Sequence, residues 1–327
     1  SWRDKVVITE RNYKMDNMKA LMMYLVVFGH MLECFHGTVR WWIYLAIYSF
    51  HMPVFAYITG YFSRINPERT VKGILYPYFL YQTLYLMFQR FFLEQENILQ
   101  FTTPYWLLWY LISLLCWQMF LPLISWKGFT QEKVLTATFI LSLAAGFDNT
   151  VGYYLSLSRT LVLLPFFTAG YFQYFDGLTD RMKRGAGKHL CLFGCVLCVL
   201  GIKRMSGVLQ AGWMYHSMSY EAGGYSVWIR AGLLLTAVFW ILVWNVLVPN
   251  RRIWLISMLG RYTMPVFLLH GFLIKWMEKS TFFHWSENVN LLIAAVLSAG
   301  ICICLGNPWA AGLTEMKWRR RLMRRAV

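Results

Sequence analysis

Long apolar runs recur along the chain, and each is bounded by polar or charged residues. A helix needs about 20 apolar residues to cross the hydrocarbon core of a bilayer. The runs predict ten membrane-spanning helices, near residues 16–35, 41–62, 73–93, 105–125, 134–147, 159–175, 189–202, 227–248, 257–277 and 289–312. We therefore predict an all-α polytopic membrane protein in which residues 1–327 form a single transmembrane domain.

Basic residues concentrate in alternate loops between the predicted helices. They are Arg3, Lys5, Arg11 and Lys14, then Arg64, Arg69, Lys72, Lys127, Lys133, Arg181, Lys183, Arg184, Lys188, Arg251 and Arg252, and six more in the tail. The positive-inside rule places these loops in the cytoplasm. Both termini are then cytoplasmic, as an even number of helices requires. They comprise a short N-terminal segment, 1–15, and a basic tail, 313–327.

The composition excludes an ordinary soluble domain. Hydrophobic residues make up 58% of the chain and charged residues 14%, against averages of about 45–50% and 25%. The net charge of +16 indicates basic cytoplasmic loops and anionic lipid rather than nucleic acid. Most of the cysteines lie inside apolar runs without paired or metal-like spacing, so we expect neither a disulfide framework nor a metal site.

Three histidines fall inside predicted helices at comparable depths. Ionisable side chains within a span are costly and are candidates for function. His30 is followed three residues later by Glu33, where a carboxylate on the same helix face can orient an imidazole. His51 and His270, each taken alone, are better explained by a structural hydrogen bond to a neighbouring helix. We expect catalysis at His30 with Glu33, and a polar cavity that the three histidines share.

Two basic residues stand at opposite sides of the predicted membrane. Lys19 precedes His30 by eleven residues on the first helix, which is about 16 Å along the axis. Arg159 begins the sixth helix from the outside, where it can hold an anionic or carbonyl group or extend to the outer surface. The long outer loop near 203–226 is rich in aromatic residues, which can stack on sugar rings or form an interfacial belt.

Five short motifs accompany these residues. They are Lys19 with Val26-Val27-Phe28-Gly29-His30; His51-Met52-Pro53-Val54-Phe55 with Gly60-Tyr61; Trp106-Leu107-Leu108-Trp109-Tyr110-Leu111; Arg159 with Leu164-Pro165-Phe166-Phe167 and Gly170-Tyr171; and Leu268-Leu269-His270. Together they resemble the motifs of the acyltransferase 3 membrane proteins, especially the fucose 4-O-acetylase-like branch. One departure is Lys19, where many members have arginine. Lysine keeps the charge and loses the bidentate fork.

The resemblance implies transfer of an acyl group, commonly acetyl, from cytoplasmic acyl-CoA to a hydroxyl of a cell-surface or lipid-linked carbohydrate. His30 would act as general base or acyl carrier, and Glu33 would orient its ring. Basic residues at the inner face would attract the donor phosphates; they are Lys19, Arg64, Arg69 and Lys72. The acceptor would contact His51, Trp109, Tyr110, Arg159 and His270.

The resemblance also implies a multi-pass protein of a bacterial plasma membrane, with acetyl-CoA as donor, membrane lipids around it and no metal. A transporter or flippase for a glycan or small molecule is the competing interpretation, since it too would have ten helices, proline kinks and intramembrane charges. Transporters often contain internal repeats, and we find no convincing repeat here. A sensor or scaffold without chemistry would leave the pairing of His30 with Glu33 unexplained.

Overall fold

The computed structural model describes residues 11–314, apart from 97, 99, 127, 151 and 153 and the side chains of Arg69 and Leu313. Three features predicted to be cytoplasmic therefore lie outside the described residues: most of the segment 1–15, Lys127 and nearly all of the tail 313–327. Throughout the part of the chain that is described, the regular secondary structure is helical, without strands.

Seventeen α-helices follow one another along the described chain. They are α1 (Tyr13–Met31), α2 (Thr38–Tyr48), α3 (His51–Phe62), α4 (Pro67–Thr70), α5 (Tyr76–Phe91), α6 (Trp109–Ile124), α7 (Gln131–Ala144), α8 (Leu157–Phe172), α9 (Asp176–Lys183), α10 (Gly187–Met205), α11 (Ala211–Met214), α12 (Tyr220–Gly223), α13 (Val227–Leu247), α14 (Trp254–Arg261), α15 (Thr263–Lys279), α16 (Glu287–Leu305) and α17 (Pro308–Thr314). A π-helical turn, Val71–Leu75, joins α4 to α5, and 3₁₀ turns occur at Leu32–Cys34, Trp106–Leu108 and Tyr154–Ser156. Each of the ten predicted runs overlaps at least one of these helices, with bounds that differ by a few residues.

Several of these helices are suited to a membrane. Among the described residues, five helical stretches are long and apolar enough to cross one: Thr38–Phe62, Trp106–Ile124, Tyr154–Phe172, Val227–Leu247 and Glu287–Leu305. A sixth arises if α9 and α10, which meet at 104°, are counted as one broken span. The prediction of an all-helical membrane protein is thus confirmed with five or six candidate spans, while the full set of ten spans stays a prediction.

The second predicted span contains a break between α2 and α3. Pro53 has no N–H to donate to the carbonyl of Ser49, and its ring clashes with that carbonyl, so a regular helix cannot continue through this turn. The side chain of His51 lies at the break, with its Nδ1 2.8 Å from the carbonyl oxygen of Ile47. The predicted continuous helix over 41–62 is therefore two helices, and His51 satisfies one of the carbonyl groups beside the break.

Helices α3 and α8 pack backbone against backbone. A Cβ atom on Gly60 would lie 1.9 Å from the carbonyl oxygen of Phe167, and one on Gly170 would lie 1.9 Å from the carbonyl oxygen of Tyr57. Only glycine permits such an approach, which is a common basis of helix association within membranes. The two Gly-Tyr motifs of the sequence therefore serve the architecture of the bundle.

Helix α1 lies at the centre of the bundle and contacts α3, α14, α15 and α16. Asn17, in its first turns, donates to the carbonyl oxygens of Pro249 at 3.1 Å and Arg251 at 3.0 Å. The same side chain accepts a hydrogen bond of 2.7 Å from the hydroxyl of Ser257. These bonds hold the start of α1 against the segment that leads into α14. They thereby fix the position of α1 along its own axis relative to that segment.

Candidate active site

His30 lies at the end of α1, and Glu33 follows it in the 3₁₀ turn. The Nδ1 atom of His30 is 3.3 Å from Oε1 of Glu33, and the two side chains are 14% and 28% exposed. A carboxylate only accepts hydrogen bonds, so the proton of a neutral His30 ring belongs on Nδ1. This tautomer leaves the lone pair of Nε2 available to a substrate, which is what a general base or nucleophile needs.

Two tyrosines of α2 bind the same carboxylate. The hydroxyl of Tyr48 donates to Oε1 of Glu33 at 2.6 Å and lies 3.1 Å from Nδ1 of His30. The hydroxyl of Tyr44 donates to Glu33 at 3.1 Å and is 2.6 Å from the hydroxyl of Tyr215. Charge-assisted bonds of this kind fix the orientation of a carboxylate. Our sequence analysis missed both α2 tyrosines, although their spacing of four residues places them on one helix face directly before the His51 motif.

Gly29 makes room for this arrangement. A Cβ atom at this position would lie 3.1 Å from Cε2 of Tyr48, which is closer than a comfortable carbon contact. The glycine that precedes His30 in the first motif is therefore explained by the approach of the Tyr48 ring.

His270 faces His30 across the bundle. The two imidazole rings are stacked, with centroids 5.6 Å apart and planes inclined by 23°. Nδ1 of His270 is 2.8 Å from the carbonyl oxygen of Val266, so Nδ1 carries the proton. The residue is fully buried, and its Nε2 has no hydrogen-bond partner in the described part of the chain. A buried acceptor without a partner is costly, so this atom is an unsatisfied polar group beside the His30 ring.

His51 contacts the site through Tyr48. It is buried, its Nδ1 lies against the carbonyl of Ile47, and its ring meets that of Tyr48 edge-on at 4.6 Å. The structure thus brings together two of the three predicted histidines, while His51 contacts Tyr48 instead. Within the described residues, no group of His, Cys, Asp or Glu side chains is arranged to hold a metal ion.

Trp106 and Lys275 complete the surroundings of His30. The Trp106 ring lies 4.5 Å from the His30 ring, and Nζ of Lys275 lies 4.5 Å from the centroid of the same indole. Trp106 has a φ of 33°, a conformation that costs about 1–3 kcal/mol in a non-glycine residue. Local sequence preferences would not place it there. In this strained position the indole packs against the His30 ring.

Two cavities approach His30 from the first half of α1. The larger, which we call the vestibule, has a volume of about 400 Å³ and is lined by Lys19, Arg64, Thr70 and Gln118 among others. The smaller, which we call the neck, has about 20 Å³ of free space and reaches His30. Both cavities are lined by Met23, Phe55, Tyr110 and Phe267. These four side chains therefore stand between the vestibule, which Lys19 lines, and the neck, which His30 lines.

Lys19 is held at the wall of the vestibule. Its Nζ lies 3.4 Å from Oδ1 of Asp16, one turn earlier on α1, and 4.6 Å from the centroid of the Phe62 ring. Arg64 follows the end of α3 and lines the same cavity. Two of the four predicted donor-binding residues, Lys19 and Arg64, therefore share one cavity.

The other two predicted donor-binding residues are placed differently. Lys72 is exposed and forms an ion pair of 2.5 Å with Glu68, one turn earlier. Its neighbours Thr70 and Gly73 line the vestibule, but Lys72 itself does not. The side chain of Arg69 lies outside the described residues. The contacts thus favour Lys19 and Arg64 as the basic residues of the vestibule.

Three predicted acceptor-binding residues gather beside the neck. Trp109 and Tyr110 line it together with His30. The guanidinium carbon of Arg159 lies 4.8 Å from the centroid of the Trp109 ring, and its Nε donates to the carbonyl oxygen of Tyr215 at 3.1 Å. Arg159 is therefore turned into the protein, one aromatic ring away from the neck, rather than toward the outer surface.

The long loop that precedes α13 folds inward. Trp213 and His216 are buried, and burial, followed by the charge of Arg230, lowers the pKa of His216 to about 3. Arg230 is itself fully buried, donates to the carbonyl oxygen of Met218 at 2.7 Å and stacks over the Tyr220 ring at 4.6 Å. The loop is thus a packed cap, which fits neither the sugar-stacking surface nor the interfacial belt that its composition suggested.

Comparison with known proteins agrees with the motifs. The family model described as an acyltransferase domain matches residues 12–306. Nodulation protein NolL of Sinorhizobium fredii is 25% identical over 325 residues, which cover 89% of this chain and 86% of that protein. No solved structure matches the chain. Because the family model spans nearly the whole bundle, from α1 through α16, this chain belongs to the acyltransferase 3 family.

Proposed function

We propose that this protein is a membrane O-acyltransferase that moves an acyl group, acetyl by default, from cytoplasmic acyl-CoA to a hydroxyl of a cell-surface or lipid-linked carbohydrate. One observation carries the proposal: His30, backed by Glu33, lies at the end of a neck that shares its walls with a basic vestibule. Acyl-CoA has a large phosphate-bearing end, a slender pantetheine arm and a reactive thioester. The vestibule would take the phosphate-bearing end, the shared walls would take the arm, and His30 would meet the thioester.

The proposed orientation places the vestibule in the cytoplasm. It assumes the ten predicted spans, both termini inside, and the basic loops on the inner face. The protein would then lie in the plasma membrane of a bacterium, and the relative from Sinorhizobium fredii is consistent with a bacterial source. In this orientation α1 runs outward, so Lys19 faces the donor side and His30 the acceptor side.

The donor would bind with its phosphates in the vestibule. Lys19 and Arg64 supply positive charge there, and cations of this kind attract phosphate groups. The pantetheine arm would pass between the shared apolar walls, including Met23 and Phe267, and bring the thioester carbon to His30. Partial exclusion of water in the neck would protect the thioester from hydrolysis.

The chemistry would take place at Nε2 of His30. In direct transfer, Nε2 takes the proton of the acceptor hydroxyl, the oxygen bonds to the thioester carbonyl carbon, and the carbon–sulfur bond breaks. The CoA thiolate then receives the proton from His30. In the alternative route, Nε2 attacks the thioester carbonyl carbon, the carbon–sulfur bond breaks, and CoA leaves as the thiolate. The acceptor oxygen then bonds to the acyl carbon while the bond from that carbon to Nε2 breaks, and the acceptor proton passes by way of Nε2 to the CoA thiolate. Glu33 would stabilise the charged ring in either route.

Acceptor binding would use the polar atoms around the neck. Nε2 of His270, beside the His30 ring, would accept a hydrogen bond from the acceptor hydroxyl, and Trp109 would contact a sugar ring. Tyr110, predicted from the sequence as an acceptor contact, instead borders the path of the donor. Arg159, stacked on Trp109, would add positive charge near the oxyanion that develops on the carbonyl. On its present contacts, His51 would act through Tyr48 rather than on the acceptor.

The test is acyl transfer by the His30→Ala variant in native membranes supplied with acyl-labelled acetyl-CoA. We expect transfer to fall at least about 100-fold, since general bases contribute roughly 10²–10⁴-fold, while binding of CoA to the purified protein is retained. His284→Ala, which removes an exposed histidine, is the matched control. Full transfer by His30→Ala would refute the assignment, and substrate flux independent of acyl-CoA would favour a transporter.

A further inference from the structure

The neck differs from the vestibule most in size. The vestibule holds about 400 Å³, whereas about 20 Å³ is free beside His30. About 10–15 Å³ by this measure accommodates one water molecule. The space beside His30 is therefore suited to one small group, such as the methyl of an acetyl group, and a longer chain would have to displace the walls.

The walls of the neck divide into two sets. Met23, Phe55, Tyr110 and Phe267 also line the vestibule, so they border the approach to His30. Val26, Met52, Leu107 and Trp109 line the neck alone. These four therefore surround the end of the passage.

Three side chains of the second set are aliphatic and come from separate elements. Val26 lies on α1, Met52 on α3 and Leu107 in the 3₁₀ turn before α6. Val26 and Leu107 are 5% and 3% exposed, so surrounding atoms restrict their movement. Forcing extra methylene groups into such packing is unfavourable. Met52 is only partly buried, and its long flexible side chain fills the remaining space.

We propose that Val26, Met52 and Leu107 set the length of the acyl group that this enzyme transfers, by closing the space beyond the thioester carbonyl at His30. The inference rests on the proposed function, because it assumes that the thioester reaches His30 through the neck. It assigns specificity to side chains that take no part in the chemistry and leaves the identity of the acceptor open.

The test compares acetyl-, propionyl-, butyryl- and hexanoyl-CoA, each labelled in the acyl group, as donors in native membranes. For the wild type we expect transfer to fall about 10–200-fold with each added methylene, the discrimination typical of a tight apolar pocket. Met52→Ala, which removes three heavy atoms from the wall, should bring butyryl transfer to within about tenfold of acetyl transfer. Val26→Ala is a second, independent enlargement in case Met52→Ala does not fold.

Met119→Ala is the matched control, because Met119 lies on α6 with 71% of its surface exposed, away from both cavities. It should keep the wild-type order of donors. Equal transfer of acetyl and butyryl groups by the wild type, or an unchanged order in both enlarged variants, would overturn the length limit while leaving the acyltransferase assignment intact. Absence of transfer from every donor would overturn both.

Discussion

The two ends of α1 are built in opposite ways. Near its start, Lys19 borders an open vestibule of about 400 Å³, and its ammonium is 3.4 Å from Asp16. Just beyond its last turn, one carboxylate oxygen of Glu33 contacts His30, Tyr44 and Tyr48 at 2.6–3.3 Å. The Lys19 end has space for a ligand, whereas the His30 end is already filled with mutual hydrogen bonds.

This contrast separates binding from chemistry. Catalytic groups are effective when their neighbours hold them in the productive geometry before the substrate arrives. A binding region must instead leave volume for its ligand and place charged side chains within its reach. Substitutions at the His30 end should therefore lower kcat, while substitutions at the Lys19 end should raise the KM for acyl-CoA.

Among the substitutions that test this contrast, Glu33→Gln should lower kcat the most. The amide keeps the shape of the side chain but loses the charge that stabilises a protonated His30, and its NH₂ group no longer requires a proton on Nδ1. We expect kcat to fall about 10²–10⁴-fold with the KM for acetyl-CoA unchanged, measured from initial rates in membranes. Glu132→Gln, at an exposed carboxylate of α7, is the control. A higher KM at constant kcat would assign Glu33 to binding instead.

Tyr48→Phe should have an intermediate effect. It removes the hydroxyl that donates to Glu33 at 2.6 Å, and a hydrogen bond to a charged group contributes about 1.5–3 kcal/mol. We therefore expect kcat to fall roughly 10–150-fold. Tyr44→Phe should cost less, because its bond to Glu33 is longer, at 3.1 Å, and it does not reach His30.

Tyr76→Phe tests whether these losses are specific to the site. Tyr76 is 40% exposed at the start of α5, so losing its hydroxyl should leave kcat unchanged. If Tyr44→Phe lowers kcat more than Tyr48→Phe does, the Tyr44 hydroxyl contributes more to Glu33 than the Tyr48 hydroxyl. That result would contradict the ranking based on the two hydrogen-bond distances.

Lys19→Gln and Arg64→Gln should have the smallest effects. Partly exposed ion pairs are typically worth about 0.2–1 kcal/mol, so each change should raise the KM for acetyl-CoA about 2–5-fold and leave kcat unaltered. Added salt should raise the wild-type KM and affect the variants less, because it screens the charges that the variants lack. Lys133→Gln, on α7, is the control. A lower kcat at unchanged KM would place these residues in the chemistry.

Local spacing accounts for what the sequence could predict. The apolar runs predict the helices because a long continuous apolar stretch is typical of a membrane-spanning helix. The pairing of His30 with Glu33 follows from their separation of three residues on neighbouring turns. The break before Pro53 has a local cause in the missing N–H of proline, but the apolar run alone predicted one continuous helix there, and the geometry of His51 at the break depends on packing.

Tertiary contacts account for what the sequence could not predict. Tyr44 and Tyr48 reach Glu33 because α2 folds back against α1, and no spacing within one helix reveals that contact. The inward fold of the loop before α13 likewise depends on Arg230, whose charge is buried among carbonyl and aromatic groups. In both cases the decisive partner comes from another element.

The most direct test is a structure of the protein with a thioether analogue of acetyl-CoA that keeps the carbonyl group but cannot transfer it. We expect phosphates beside Lys19 and Arg64, the pantetheine arm between the shared walls, and the carbonyl carbon in van der Waals contact with the lone pair of Nε2 of His30. Density for the analogue on another face of the bundle, or an arm that ends in the vestibule while the neck stays closed, would contradict this expectation.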